Sequence, residues 1–377
     1  MGSRAIGLAV LGLLAPVCAQ GPMQSHEGGG NPNGNSSAPH HQGTVQNSTH
    51  SALEHAQLGL SFAKQEKYKE AVLEYRKAAS LDPALPRLQL NLGLAEFKQG
   101  QFEAAISAFR NALAAEPANV QARMLLGMSY YGQGKFLDAA KNLKLASQSQ
   151  PENNDLLFTL AQSCLWAKDY TCASEEFRTL LLRDPDSANT HMLMGEALDG
   201  LGKTSEAIAE FESAVKSAPQ QPNAHFGLGY LYWKQQRYSE AASAFHSELT
   251  LDPDHAPALA YLGDIAWKSN RPEEALPLLQ HAVETTQGPR IAYLDLASIY
   301  DQQKKYEAAE AALRKAIELD PTQADAHYQM GRVYQATGKS AEAAAEMHKA
   351  RELHAQKDDS LRGQISSSPV KEPQTQE

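Results

Sequence analysis

Three sets of side chains in this 377-residue chain have types and spacings that invite chemistry. His55, His191, His225 and His327 are separated by multiples of 34 residues, and imidazole is the commonest metal ligand. Cys164 and Cys172 lie eight residues apart, which leaves two readings open: a disulfide, or a buried Cys164 acting as a small hydrophobe beside a free Cys172. Trp166, Trp233 and Trp267 are the only tryptophans, and an indole gains most when a partner covers it. No Ser/His/Asp set, Gly-rich phosphate loop or carboxylate pair stands outside the periodicity described next, so the chain reads as non-enzymatic and without a cofactor.

Whether any of these groups meet depends on the elements that carry them, and those repeat. The sequence matches itself at a period of 34 residues, with copies starting at Ala52, Pro86, Val120, Asn154, Ala188, Pro222, Ala256, Arg290 and Ala324. Nine units then cover residues 52–357. The eighth residue of each is Gly or Ala, as in Gly59, Gly195 and Ala161, and the twentieth is always alanine, from Ala71 to Ala343. The twenty-fourth is large, as in Tyr75, Phe109 and Phe211, and a proline such as Pro83 or Pro253 closes most units. Apolar residues at three- and four-residue spacing form two runs per unit, the pattern of two amphipathic helices. Small residues at the eighth and twentieth positions let the helices approach, and the large one fills the notch between them. The Ala- and Leu-rich composition, 42% hydrophobic and 7% aromatic, also favours helix.

This period and pattern resemble the tetratricopeptide repeat (TPR) family over about four fifths of the chain. The resemblance implies an all-α fold, a right-handed superhelical solenoid of nine helix-turn-helix repeats. It also implies that the first helix of each unit lines a concave groove through its second, fifth, ninth, twelfth and thirteenth positions. Carried onto this sequence, those positions include Leu94, Phe97, Met128, Tyr131, Phe158, Trp166, Met192, Phe226, Tyr230, Trp233 and Trp267 as a partner-binding surface. Acidic residues Glu196, Asp199, Asp264, Asp301 and Asp325 gather in the later units. The Lys/Asn clamp that some TPR grooves use for a terminal carboxylate does not recur. The four histidines fall at the fourth position of separate units, roughly 10 Å or more apart, too far to share an ion, so no metal site is expected.

Three places break the pattern. Glu96 stands where an aromatic or Leu is usual, and Glu248 where most units have Ala. Pro272, Pro277 and Gln287-Gly288-Pro289 mark the seventh unit as the loosest joint.

The ends read differently. Residues 1–20 have the charged, apolar and small-residue order of a signal peptide, with cleavage expected after Ala19; lipid attachment at Cys18 fits less well. Residues 21–51, rich in Gly, Asn, Ser and His, and 358–377 read as disordered. An exported protein, periplasmic or extracellular, is expected. The formal charge of -10 argues against nucleic acid as a partner. The expected function is a scaffold that binds a protein or peptide segment in the groove, in envelope assembly or secretion. The alternative is a carbohydrate-binding or glycosyltransferase-associated role, and self-association is a further possibility.

Overall fold

The computed structural model describes residues 42–85, 87–285 and 288–367, and over these the chain forms eighteen helices and no strand. The expected signal peptide with Cys18, the linker through residue 41, and residues 368–377 lie outside the described residues. The described residues from Ser51 onward belong to one compact unit. In order, the helices are α1 (Gln42–Lys64), α2 (Tyr68–Leu81), α3 (Leu88–Lys98), α4 (Phe102–Ala115), α5 (Val120–Gly132) and α6 (Phe136–Ser147). Next come α7 (Asn154–Trp166), α8 (Tyr170–Arg183), α9 (Ala188–Gly200), α10 (Thr204–Ser217), α11 (Ala224–Lys234) and α12 (Tyr238–Leu251). The series ends with α13 (Ala256–Lys268), α14 (Pro272–Glu284), α15 (Arg290–Gln302), α16 (Tyr306–Leu319), α17 (Ala324–Ala336) and α18 (Ser340–Ser367).

Most odd helices start where the sequence period restarts, but α3 and α11 start two residues later. Their entry residues Arg87 and Asn223 are left-handed (φ 60° and 66°), a conformation that cannot belong to the first turn of a right-handed helix. The outermost helices are longer than the sequence suggests: α1 begins inside the Gly/Asn-rich segment and α18 continues into the polar tail. Once a helix is nucleated each added residue makes a further hydrogen bond. No proline interrupts these stretches before Pro369. Pro272 occupies the first turn of α14, and the helix continues through Pro277, which is exposed.

Each hairpin closes on one contact. A Cβ added to Gly195 would lie 2.6 Å from the Phe211 ring, and one on Gly93 or Gly229 would lie 2.8 or 2.7 Å from Phe109 or Phe245. The twentieth-position alanines and these rings are fully or almost fully buried. Successive hairpins stack through the even helix of one and the odd helix of the next. From α3 to α9 and again from α11 to α17, odd helices also touch the next odd helix, whereas among the described residues no even helix reaches the next even one comparably. The array therefore bends with its odd helices on the inner side.

Polar pairs lock this geometry, and the periodic reading missed them. His55, His191 and His327 each place Nδ1 2.6 Å from a glutamate on the paired helix, Glu74, Glu210 and Glu346. Three of the four fourth-position histidines are thus structural ties. His225 has Ala244 in that register and instead reaches the Pro219 carbonyl at 3.0 Å. Between repeats, Arg110 donates to the Tyr130 hydroxyl, Tyr232 donates to Glu212 at 2.7 Å, and Gln280 donates to Tyr300 at 3.2 Å. Glu96 occupies the same register as these tyrosines and accepts from Arg76 at 2.8 Å. Glu248, buried, accepts from the backbone N–H groups of Asn223 (2.8 Å) and Phe226 (3.0 Å), capping the late-starting α11.

Gly195→Ala should lower stability by about 1–2 kcal/mol net, because overpacking against Phe211 outweighs the gain in helix propensity. The urea midpoint reads the change; an unchanged or raised midpoint would show that the hairpin can open to take the methyl.

Candidate binding groove

The inner face is built by the odd helices, and it contains two aromatic clusters. In the first, Tyr131 at the end of α5 stacks on Trp166 at the end of α7, centroids 5.4 Å apart. Phe136, from the start of α6, lies 5.0 Å from Trp166 and 5.8 Å from Tyr131. Tyr131 donates to Gln162 Oε1 at 2.9 Å, and burial pushes its hydroxyl up to about 12. Trp166 remains 37% exposed, so the cluster offers an indole to solvent.

The second cluster joins Phe226, Tyr230 and Trp233 of α11 to Tyr261 of α13, with Phe245 of α12 beneath. Tyr261 lies 4.8 Å from Trp233, 5.6 Å from Tyr230 and 6.0 Å from Phe226. Trp233 donates its indole N–H to Asp264 Oδ2 at 2.6 Å. Lys268 binds the same oxygen at 2.9 Å with its ammonium 4.6 Å from the Trp233 ring centroid. Asp264 is only 2% exposed. Asp295 of α15 has its Oδ2 buried without a partner; burial, then the charge of Asp264, pushes its carboxyl up to about 8.

The expected groove residues thus divide. Tyr131 with Trp166, and Phe226 with Tyr230 and Trp233, are brought together on the inner face. Leu94 and Met192 are half-buried, and Phe158 packs edge-on against Phe177 at 6.1 Å. Phe97 and Met128 are core residues, 8% and 7% exposed, and present almost no surface to a partner. Phe97 lies edge-on against Phe102 at 5.6 Å, and Met128 joins the continuous core between hairpins. Trp267 lines a cleft of about 540 Å³ between α13, α15 and α17.

Phe136 and Tyr261 escaped the sequence reading because they lie outside the five groove positions. Phe136 had a signal: Tyr68, Phe102, Phe136, Tyr170, Tyr238 and Tyr306 recur at the period of 34, at the start of the even helices. This ring packs under the end of the next odd helix, where Gly132 or Gly200 leaves room for Phe102 or Tyr170.

Of the acidic residues, Asp199 pairs with Lys234 at 2.6 Å, Asp325 with Arg290, and Asp301 with Arg332 at 3.4 Å. Cys164 and Cys172 are joined as a disulfide, Cα atoms 5.8 Å apart, tying α7 to α8. Among the described residues no group of His, Cys, Asp and Glu is arranged to hold a metal ion, and no helix is long and apolar enough to cross a membrane.

Known proteins share this architecture. Profiles described as tetratricopeptide repeat match residues 90–141 and 192–256, and 130–197 and 232–299; a TPR repeat profile matches 59–100 and 297–338. Together they run from 59 to 338 without a gap. No curated protein sequence matches the chain. Among solved structures, the APC/C hetero-tetramer Cut9-Hcn1 superposes with a TM-score of 0.52 at 18% identity, over 82% of this chain and 65% of that one. The chain therefore spans just under two thirds of that protein. A tetratricopeptide repeat protein from Parabacteroides merdae gives a TM-score of 0.47 at 18% identity, over 66% and 99% of the two chains. YrrB, described as a TPR protein with an unusual peptide-binding site, gives 0.39 at 23% identity, over 51% and 100%.

Two measurements follow. Asp295 holds a proton in the native state that the unfolded chain releases near pH ~4. Its stabilising contribution is complete below about 4 and is lost as pH rises through about 8. Melting temperature should fall more from pH 6 to 9 in the wild type than in Asp295→Asn; parallel profiles would refute the assignment. Reduction should add two hydrogens to the mass and lower stability by roughly 2–3 kcal/mol, the scale for closing so short a loop. An unchanged mass would mean that the thiols are free.

Proposed function

Because the chain belongs to the tetratricopeptide repeat family, we propose that it is a non-catalytic scaffold holding a peptide or protein segment along the inner face of its odd helices. The observation that carries this reading is the pair of aromatic clusters centred on Trp166 and Trp233, which keep large ring surfaces at the inner face. Covering a partly exposed indole beside other rings is what makes interface hot spots. Tyr131 and Tyr261 hold those indoles in place, so little side-chain entropy is lost on binding.

The array is read as nine units over residues 52–357, acting outside the cytosol in assembly or secretion at the cell envelope. The order of residue types in 1–20 supports export, and the Cys164–Cys172 disulfide suits an oxidising compartment.

Panning a random 12-residue peptide display library on the full chain tests the groove. It should enrich peptides with apolar anchors, and their affinity should fall roughly tenfold or more in Trp166→Ala and in Trp233→Ala. Failure to enrich any peptide, with tryptophan fluorescence quenched by oligosaccharides instead, would replace the peptide reading with a carbohydrate one.

A further inference from the structure

Two successive junctions of the inner face carry a tryptophan in the same register, and they are completed differently. At the first, Lys268 holds its ammonium over the Trp233 ring at 4.6 Å while bonding Asp264 at 2.9 Å. The chain thus seats one of its own cations between a π face and a carboxylate. Thirty-four residues on, Trp267 takes the place of Trp233, Ser298 that of Asp264, and Gln302 that of Lys268. Among the described residues no lysine or arginine lies over the Trp267 ring and no second ring stacks on it.

In that space is the cleft of about 540 Å³, with Trp267 on one side, Ser298, Asp301 and Gln302 on α15, and Tyr328 and Arg332 on α17. Its two carboxylates are not equivalent. Asp325 is engaged on both oxygens by Arg290. Asp301 meets only the Arg332 guanidinium, at 3.4 Å, and the Arg332 side chain is 57% exposed. A pair of that length with its guanidinium in solvent is weak and readily exchanged.

We propose that this cleft receives a lysine or arginine side chain of the bound segment, lying on Trp267 as Lys268 lies on Trp233 and pairing with Asp301 in place of Arg332. The inference rests on the inner face being a peptide groove and adds the chemistry of one subsite. The partner is then a segment with apolar anchors for the two aromatic clusters and a basic residue toward the α13–α17 end. The chain's charge of -10 favours the approach of such a segment.

Peptides enriched on the full chain decide the matter. They should carry Arg or Lys at a fixed distance from the apolar anchors, and replacing an Arg there by citrulline, which keeps shape and removes charge, should weaken binding about tenfold. Asp301→Asn, which removes the carboxylate and keeps the shape, should bring the arginine and citrulline peptides within about twofold of each other, and Trp267→Ala should weaken both. Trp166→Ala should weaken both peptides equally. The subsite is overturned if enriched peptides lack a basic residue, if the wild type binds both forms alike, or if Asp301→Asn keeps the tenfold preference; each leaves the peptide groove standing. Recovery of no peptide overturns both.

Discussion

In each hairpin a buried side chain lies against the opposite helix at a residue with little or no side chain, and the stacking of the whole array depends on that approach. Phe211 occupies the space that a Cβ on Gly195 would need, and Leu279 does the same at Gly263. With the helices so close, an alanine such as Ala207 or Ala275 is completely enclosed. The hairpin becomes a rigid slab whose remaining apolar faces can be buried only by the next slab. The inner face exists because the slabs meet more closely along their odd helices than along their even ones.

On this apolar frame the polar groups specify detail. Histidine–glutamate ties fasten odd to even helices in three hairpins, and a second set of bonds runs between hairpins from an even helix to the next odd one. Glu96 and Glu248 are both buried, and both are partnered, one by Arg76 and the other by the first turn of α11. A buried carboxylate survives only with such compensation. Asp295 has less: its Oδ2 is buried without a partner, and burial pushes its carboxyl up to about 8.

The architecture was legible because Gly59, Ala71, Tyr75 and their counterparts recur every 34 residues, and steric requirements repeat faithfully wherever the same slab is rebuilt. The groove was only partly legible. Carrying over five positions selected Trp166 and Trp233, whose rings cluster with neighbouring aromatics, but also Phe97 and Met128, which are buried in the core. It passed over Tyr261, whose importance comes from the rings that α11 brings to it. Glu96 and Glu248 were visible as departures, yet their meaning lay in partners about twenty residues away, Arg76 and the backbone of α11. The histidines could have been understood from the chain itself, since Glu74, Glu210 and Glu346 stand nineteen residues after three of them, and Ala244 stands there after His225.

The bonds between hairpins share a register but not a chemistry. Arg76 meets a carboxylate, Arg110 a phenol, Glu212 a phenol and Gln280 a phenol. Each seam therefore works as a label for its neighbour. Were the hairpin bearing Glu212 joined to the one bearing Glu96, two carboxylates would face each other at the junction, whereas Arg110 would be compatible with it. Interchangeable backbones thus carry non-interchangeable joints, and shuffling, deleting or duplicating a unit is constrained by which ends it would bring together. The protein is modular in shape but ordered like a sentence.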